Sequence, residues 1–191
     1  PAADVLTLLR ENTERLLAMI EKLFVASRIE HGAMHVLCEA EPLAPLLAKP
    51  VRKLQALAKS KQLDFIWQPD QAKGLTVMVD RIRLEQVLVQ LLENAIKFTD
   101  EGSIHISVAP IAKQVVITIK DTGMGMHEAQ LNEVMQGVGQ VDPSLTKRVS
   151  GGGLGLSISR WLIQQMGGEL TVTSSPNEGT QVSLTLERYV D

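Results

Sequence analysis

The chain has 191 residues, of which 45% are hydrophobic and 21% charged, the balance of a folded domain and not of a disordered segment. Its net charge of −3 excludes the clustered basic excess of a nucleic-acid-binding face. The single cysteine, Cys38, cannot form an internal disulfide and points to a reducing, cytoplasmic location, while no Cys/His cluster has zinc-ligand spacing and no apolar run reaches the roughly 18 residues of a membrane span.

Residues 4–30 read as one long helix. Leu6, Leu9, Thr13, Leu16, Ile20, Leu23 and Ser27 follow the 3-4 seam of a coiled coil or bundle. Leu8, Leu17, Met19 and Phe24 widen the apolar face beyond that seam, so the helix needs partner helices, and no other of its kind lies nearby in the chain. Gly32 ends it. MHVLCEA (34–40) alternates like a strand. Residues 43–61 read as a helix interrupted at Pro50, and 63–68 and 75–80 as strands. Residues 81–98 form a strong helix with Ile82, Leu84, Val87, Leu88, Leu91, Leu92 and Ala95 inward.

SIHISVAP (103–110) and QVVITIK (114–120) read as a hairpin. A short helix over 127–135, a loop over 136–152 and a helix over 155–168 stopped by glycines follow. ELTVTSS and TQVSLTL form a closing pair of strands. This order predicts an α+β chain: a two-layer α/β sandwich whose mixed sheet carries helices on one face, preceded by one long N-terminal bundle helix. The expected boundary divides residues 1–32 from 33–191. The chain opens without methionine, close to a helical pattern already under way, as an excised piece would.

Four short patterns carry chemistry. In LLENAIKFT, Asn94 and Lys97 are neighbours on a helix surface, with Gln90 one turn earlier on the same face. An amide oxygen suits Mg²⁺ and a lysine suits phosphate; alone, the pattern is equally a helix with a polar face. DTGMGM places Asp121 before Gly123 and Gly125. A buried carboxylate there would accept from an exocyclic amine, with glycines admitting a flat ring; alone, it is a turn. SGGGLGLSISR sets Gly151, Gly153 and Gly155 ahead of a helix, a phosphate cradle or a flexible connection. It is not a Walker A loop, and no strand precedes it as a Rossmann turn would require. NEGTQVSLTL opens the last strand at Gly179–Thr180.

Together and in this order, the four resemble the boxes of the catalytic, ATP-binding domain of sensor histidine kinases, within the group that includes DNA gyrase and a heat-shock chaperone ATPase. LLENAIKFT is similar to the asparagine box, and DTGMGM, GGGLGLSISR and EGTQVSLTL to three glycine boxes. ERLLAMIEKLFVASRIEHG resembles the second helix of the dimerisation and phosphotransfer domain. The resemblance implies the histidine kinase-like ATPase fold and a bacterial two-component kinase using ATP and Mg²⁺. It implies that Asn94 holds Mg²⁺, that Lys97 lies by the phosphates and that Phe98 packs in the nucleotide pocket; Asn94 and Lys97 would be catalytic. Asp121 would hold the adenine amine while Gly123 and Gly125 make room for the ring beside Met126. Gly151, Gly153, Leu154, Gly155 and Leu156 would hinge a lid, with Lys147 and Arg148 as lid cations, and Thr180 would line the adenine end.

The apolar face of residues 4–30, larger than a monomer usually exposes, predicts a homodimer through that helix, and the charge and the lack of a long apolar run predict no nucleic acid and no membrane insertion of this piece; the resemblance adds a response-regulator receiver domain as partner and a membrane-anchored parent. Three departures matter. Gln90 replaces the glutamate with which gyrase-type relatives activate water, so ATP would be held for transfer. No acceptor-histidine motif occurs: His31, His35, His105 and His127 lack its context and read as structural or surface residues, so this piece should not autophosphorylate alone. The lid carries Met135 and Val138 where aromatics are usual, and Gly152 where threonine is usual. A degenerate kinase acting by nucleotide binding and dimerisation is the alternative; a gyrase-like clamp ATPase and a Rossmann oxidoreductase are remoter ones.

Overall fold

The computed structural model describes residues 2–135 and 153–190. In chain order the elements are α1 (Ala2–Glu30), β1 (Glu39–Pro42), α2 (Leu43–Ser60), β2 (Asp64–Trp67), a 3₁₀ turn (Pro69–Ala72), β3 (Thr76–Val79), α3 (Arg81–Phe98), β4 (Ser103–Ile111), β5 (Gln114–Asp121), α4 (Glu128–Met135), α5 (Gly153–Gln165), β6 (Glu169–Ser175) and β7 (Gly179–Tyr189).

The seven strands form one mixed sheet: six follow the order β1-β3-β7-β5-β4-β2, and β6 pairs with β7 off that path. Only β2 and β4 pair in parallel; the other pairs are antiparallel. The long β7 explains the layout. One of its edges takes β5 along Gln181–Glu187; the other takes β6 and, further along, β3 at Arg188–Tyr189.

The period-2 rule assigns the two faces. Ile104, Ile106 and Val108 on β4, Val115, Ile117 and Ile119 on β5, and Leu184 and Leu186 on β7 are buried beneath the helices. The alternate residues His105, Ser107 and Lys120 are exposed, and Thr118 and Ser183 meet between β5 and β7 at 3.4 Å. One apolar face and one polar face give the α+β sandwich the sequence predicts.

Helix α3 carries the core of the helical layer. Asp80 caps it, its Oδ1 accepting from the Arg83 backbone N–H at 3.1 Å. Leu84, Val87, Leu88, Leu91, Leu92, Ala95 and Ile96 form the buried stripe. Ile82, expected inward, is 73% exposed. It stands two residues before Leu84, about 200° around a helix of 3.6 residues per turn, and so faces away from the sheet. Pro50 does not interrupt α2: it lies in the buried stripe with Leu46, Leu47, Val51 and Leu54, where ring burial offsets the lost backbone bond.

The strand expected over 34–40 begins only at Glu39, opposite Val79. The Leu37 N–H goes to Asp80 Oδ2 at 3.2 Å and not to a strand partner, so the chain before it runs as a linker. The glycine stop of α5 holds: Gly167 N–H bonds Gln164 O and Gly168 N–H bonds Ile163 O. Helix α1 packs its C-terminal end on the domain through buried Ala26 and half-buried Val25 and Ile29. Leu6, Leu9, Leu16 and Leu17 are each more than half exposed.

The placement of Leu88 and Ile82 on opposite sides of α3 yields a paired test. Leu88→Ala should cost about 3 kcal/mol of unfolding free energy through cavity formation, and Ile82→Ala less than about 1 kcal/mol. Equal costs in denaturant titrations would contradict the assigned face.

Candidate functional site

Strand alternation determines where the chemistry sits. Val115, Ile117 and Ile119 point into the core, and Asp121, next in the same series, follows them with only 6% exposure. A carboxylate placed there must be hydrogen-bonded. Its Oδ1 accepts two backbone N–H groups, from Gly123 at 2.9 Å and from Thr180 at 3.1 Å. The first bond is an Asx turn that folds the chain at the strand end. The second ties that turn to the start of β7. Burial pushes the Asp121 carboxyl above its usual range, and the two N–H bonds oppose the shift in part. Its Oδ2 has no hydrogen-bond partner among the described residues.

Asp121 opens onto a cavity of about 260 Å³, just under the roughly 300–1,000 Å³ of ligand clefts. Leu91, Asn94, Ala95 and Phe98 of α3 form one wall, Ile119 and Asp121 the floor, and Met124, Gly125 and Met126 the turn side. Gln130 and Val134 of α4, Leu156 of α5, and Thr180 and Val182 of β7 complete it. The walls are apolar, and the polar groups are few: Asp121, Thr180, Asn94 and Gln130.

The glycines of the turn face the protein's own backbone. A side chain at Gly123 would run into the Phe98 carbonyl, and one at Gly125, where φ is +63°, into the Ser175 carbonyl. Their immediate requirement is therefore close chain packing, and Gly125 also lines the cavity. The turn is held there by Met124 N–H to Phe98 O at 3.1 Å and Asn177 N–H to Met124 O at 2.8 Å.

Asn94 is half-buried, and its Oδ1 accepts from Gln90 Nε2 at 3.0 Å. The same Gln90 amide occupies the space that a side chain at Gly155 would need. Gly155 thus admits Gln90 against α5. Lys97 is exposed and lies outside the cavity lining, its Nζ 5.0 Å from the Phe98 ring centroid, a cation–π pair. Gly153 begins α5, Leu154 is half-buried and Leu156 reaches the cavity. Lys147, Arg148, Gly151, Gly152, Val138 and most of the expected lid lie outside the described residues. His31, His35, His105 and His127 are all exposed.

The sequence reading did not find Gln130, Val134, Ile119, Val182 or Ser174. Ser174 supports the wall from behind, its Oγ 2.9 Å from both the Met126 N–H and Thr180 Oγ1. No local pattern marks these residues, because they meet only through tertiary packing. A larger groove of about 470 Å³ runs between α1, α3 and α5. It lacks a buried carboxylate; its Lys22 ammonium is held below the usual lysine range chiefly by burial.

The sequence profile described as histidine kinase-, DNA gyrase B-, and HSP90-like ATPase matches residues 79–190. The sensor histidine kinase GacS of Pseudomonas protegens is 35% identical over 196 residues, covering 98% of this chain and 21% of GacS. The chain thus spans about a fifth of the length of the curated relatives it matches. Histidine kinase AdeS of Acinetobacter baumannii superposes with a TM-score of 0.73 at 19% identity, over 100% of this chain and 87% of that one. Full-length ShkA in complex with AMPPNP superposes with a TM-score of 0.76 at 22% identity, over 99% of this chain and 40% of that one. These superpositions establish the fold, and the profile match spans the site's α3, β5, α5 and β7; the chain belongs to the histidine kinase-, DNA gyrase B- and HSP90-like ATPase family.

Proposed function

We propose that this chain is the ATP-binding kinase module of a two-component sensor histidine kinase. It would transfer the γ-phosphoryl group of ATP to a histidine on a helix outside this chain, for relay to an aspartate of a response-regulator receiver domain. The observation that carries the reading is Asp121: a buried carboxylate with one oxygen tied to backbone and the other open to an apolar cavity. That oxygen is an acceptor for an exocyclic amine, and the walls suit a planar base.

Asn94 has the chemistry for the metal. Among the described residues no group of three His, Cys, Asp or Glu could hold an ion unaided. One amide oxygen, completed by nucleotide phosphates and water, fits Mg²⁺ and its reluctance to shed water. When bound, the ion would neutralise phosphate charge during transfer. Gln90 orients the Asn94 amide and, being neutral, offers no general base to activate water. Lys97, exposed beside Phe98, would serve as a phosphate cation, and Gly153–Leu156 would brace the open end. Lys147, Arg148 and Gly151 would complete it.

Residues 1–32 would be the second helix of a dimerisation and phosphotransfer domain, and 33–191 the catalytic domain. The exposed leucines of α1 favour a homodimer, since so continuous an apolar face exceeds what a monomer usually leaves in water. No helix among the described residues is long and apolar enough to cross a membrane.

Three measurements test these points. Calorimetric titration of ATP should show affinity that rises on adding Mg²⁺, and Asn94→Ala should lose that rise, about tenfold or more in Kd; an unchanged Mg²⁺ effect removes Asn94 as the ligand. ATP affinity should also depend on pH. Amine recognition needs ionised Asp121, so binding is full above its raised pKa and falls as the pH drops through it. Stability of the nucleotide-free protein should move the other way: the native state binds the extra proton between the ordinary and raised values, so stability falls as pH rises through that window. Asp121→Asn should flatten both responses; a pH dependence surviving in the variant assigns it to another group. Sedimentation should show a dimer that Leu16→Glu with Leu23→Glu dissociates, and a monomeric parent at high concentration contradicts the role given to α1.

A further inference from the structure

Ser174 on β6 does not line the cavity, yet its hydroxyl makes three contacts. It lies 2.9 Å from the Met126 N–H, 3.0 Å from the Gly179 carbonyl and 2.9 Å from Thr180 Oγ1. A serine hydroxyl has one proton and two lone pairs. The Met126 N–H can only donate, and the Gly179 carbonyl can only accept. The Ser174 proton therefore goes to Gly179, and the third contact is satisfied only when Thr180 donates to Ser174.

Thr180 lines the cavity with its proton already committed behind the wall. Towards a ligand it presents lone pairs alone. Its backbone N–H is bonded to Asp121 Oδ1, so the two residues are neighbours, and ionised Asp121 is likewise acceptor-only. This end of the cavity is an all-acceptor edge. An amine meets it with two donors. A carbonyl meets only lone pairs and loses the partner it had in solvent.

On the reading that the cavity takes a nucleotide base, we infer that Ser174 is a specificity-determining positioning residue: by fixing the proton of Thr180 it makes the site read a 6-amino purine and reject a 6-oxo purine. It acts through Thr180 and touches no ligand.

The test is calorimetric titration with ATP and with inosine triphosphate, both with Mg²⁺, on the parent chain and on Ser174→Ala and Ser174→Thr. The parent should prefer ATP. Ser174→Ala frees the Thr180 proton to turn into the cavity, so the preference should shrink about tenfold, the equivalent of one ordinary hydrogen bond. Ser174→Thr keeps the hydroxyl and should restore it. Loss of the Met126 partner alone would weaken both nucleotides alike and leave the ratio unchanged, which overturns the inference. If Ser174→Ala does not fold, Thr180→Val, which removes the acceptor and leaves Ser174 bonded to Met126, should narrow the ratio, and an unchanged ratio there overturns the inference too. A parent chain that binds neither nucleotide overturns the nucleotide reading itself, and this inference with it.

Discussion

The site depends on one buried carboxylate oxygen. Asp121 Oδ1 takes two backbone N–H groups, one from the adjoining glycine turn and one from the start of β7, 59 residues further along the chain. Ionised, an unbonded carboxylate in that position would cost several kcal/mol. The two bonds make burial tolerable and fix where the turn lies relative to β7. The turn then rests on the carbonyls of Phe98 and Ser175 with no space for a side chain at Gly123 or Gly125. The C-terminal end of α3, the end of β5 and the β6–β7 hairpin are thereby locked around one cavity. Oδ2 is left over, and it is the group a ligand can use.

The same economy holds for the other polar residues. The Gln90 amide both orients Asn94 and fills the notch at Gly155, so the residue proposed for the metal and the first turn of α5 share one support. Ser174 joins Met126, Gly179 and Thr180 in one network. Few groups face the cavity, and each is held by a second group outside it, the arrangement that gives a rigid site in an otherwise apolar wall. Apart from Asp121 Oδ2, which faces the cavity, one fully enclosed side-chain polar atom among the described residues has no partner, Thr99 Oγ1, packed beside Gly123.

Much of this was legible in the sequence because it is locally encoded. Helix α3 was bounded as observed, at residues 81–98, since its 3-4 stripe lies within the segment. The β4–β5 hairpin followed from two strand runs joined by a short turn, and a buried carboxylate at Asp121 from the chemistry of the DTGMGM pattern. Asn94, Phe98, Gly125, Met126, Leu156 and Thr180, drawn from the resemblance, all line the cavity beside Asp121. What was missed is nonlocal. The 34–40 segment alternates like a strand, but the Asp80 side chain claims its N–H. Ile82 looked inward until the helix phase was set by the sheet. Ser174 joins the site across the 48 residues to Met126, and the glycines' neighbours come from α3 and the β6–β7 turn, where no short motif could indicate them.

The most direct test of the account is a crystal structure of the chain with Mg²⁺ and a non-hydrolysable ATP analogue. The account predicts the exocyclic amine of the base within about 3 Å of Asp121 Oδ2, with Oδ1 still bonded to Gly123 and Thr180. A base bound elsewhere, with Oδ2 still facing empty cavity or turned onto the protein, would contradict it.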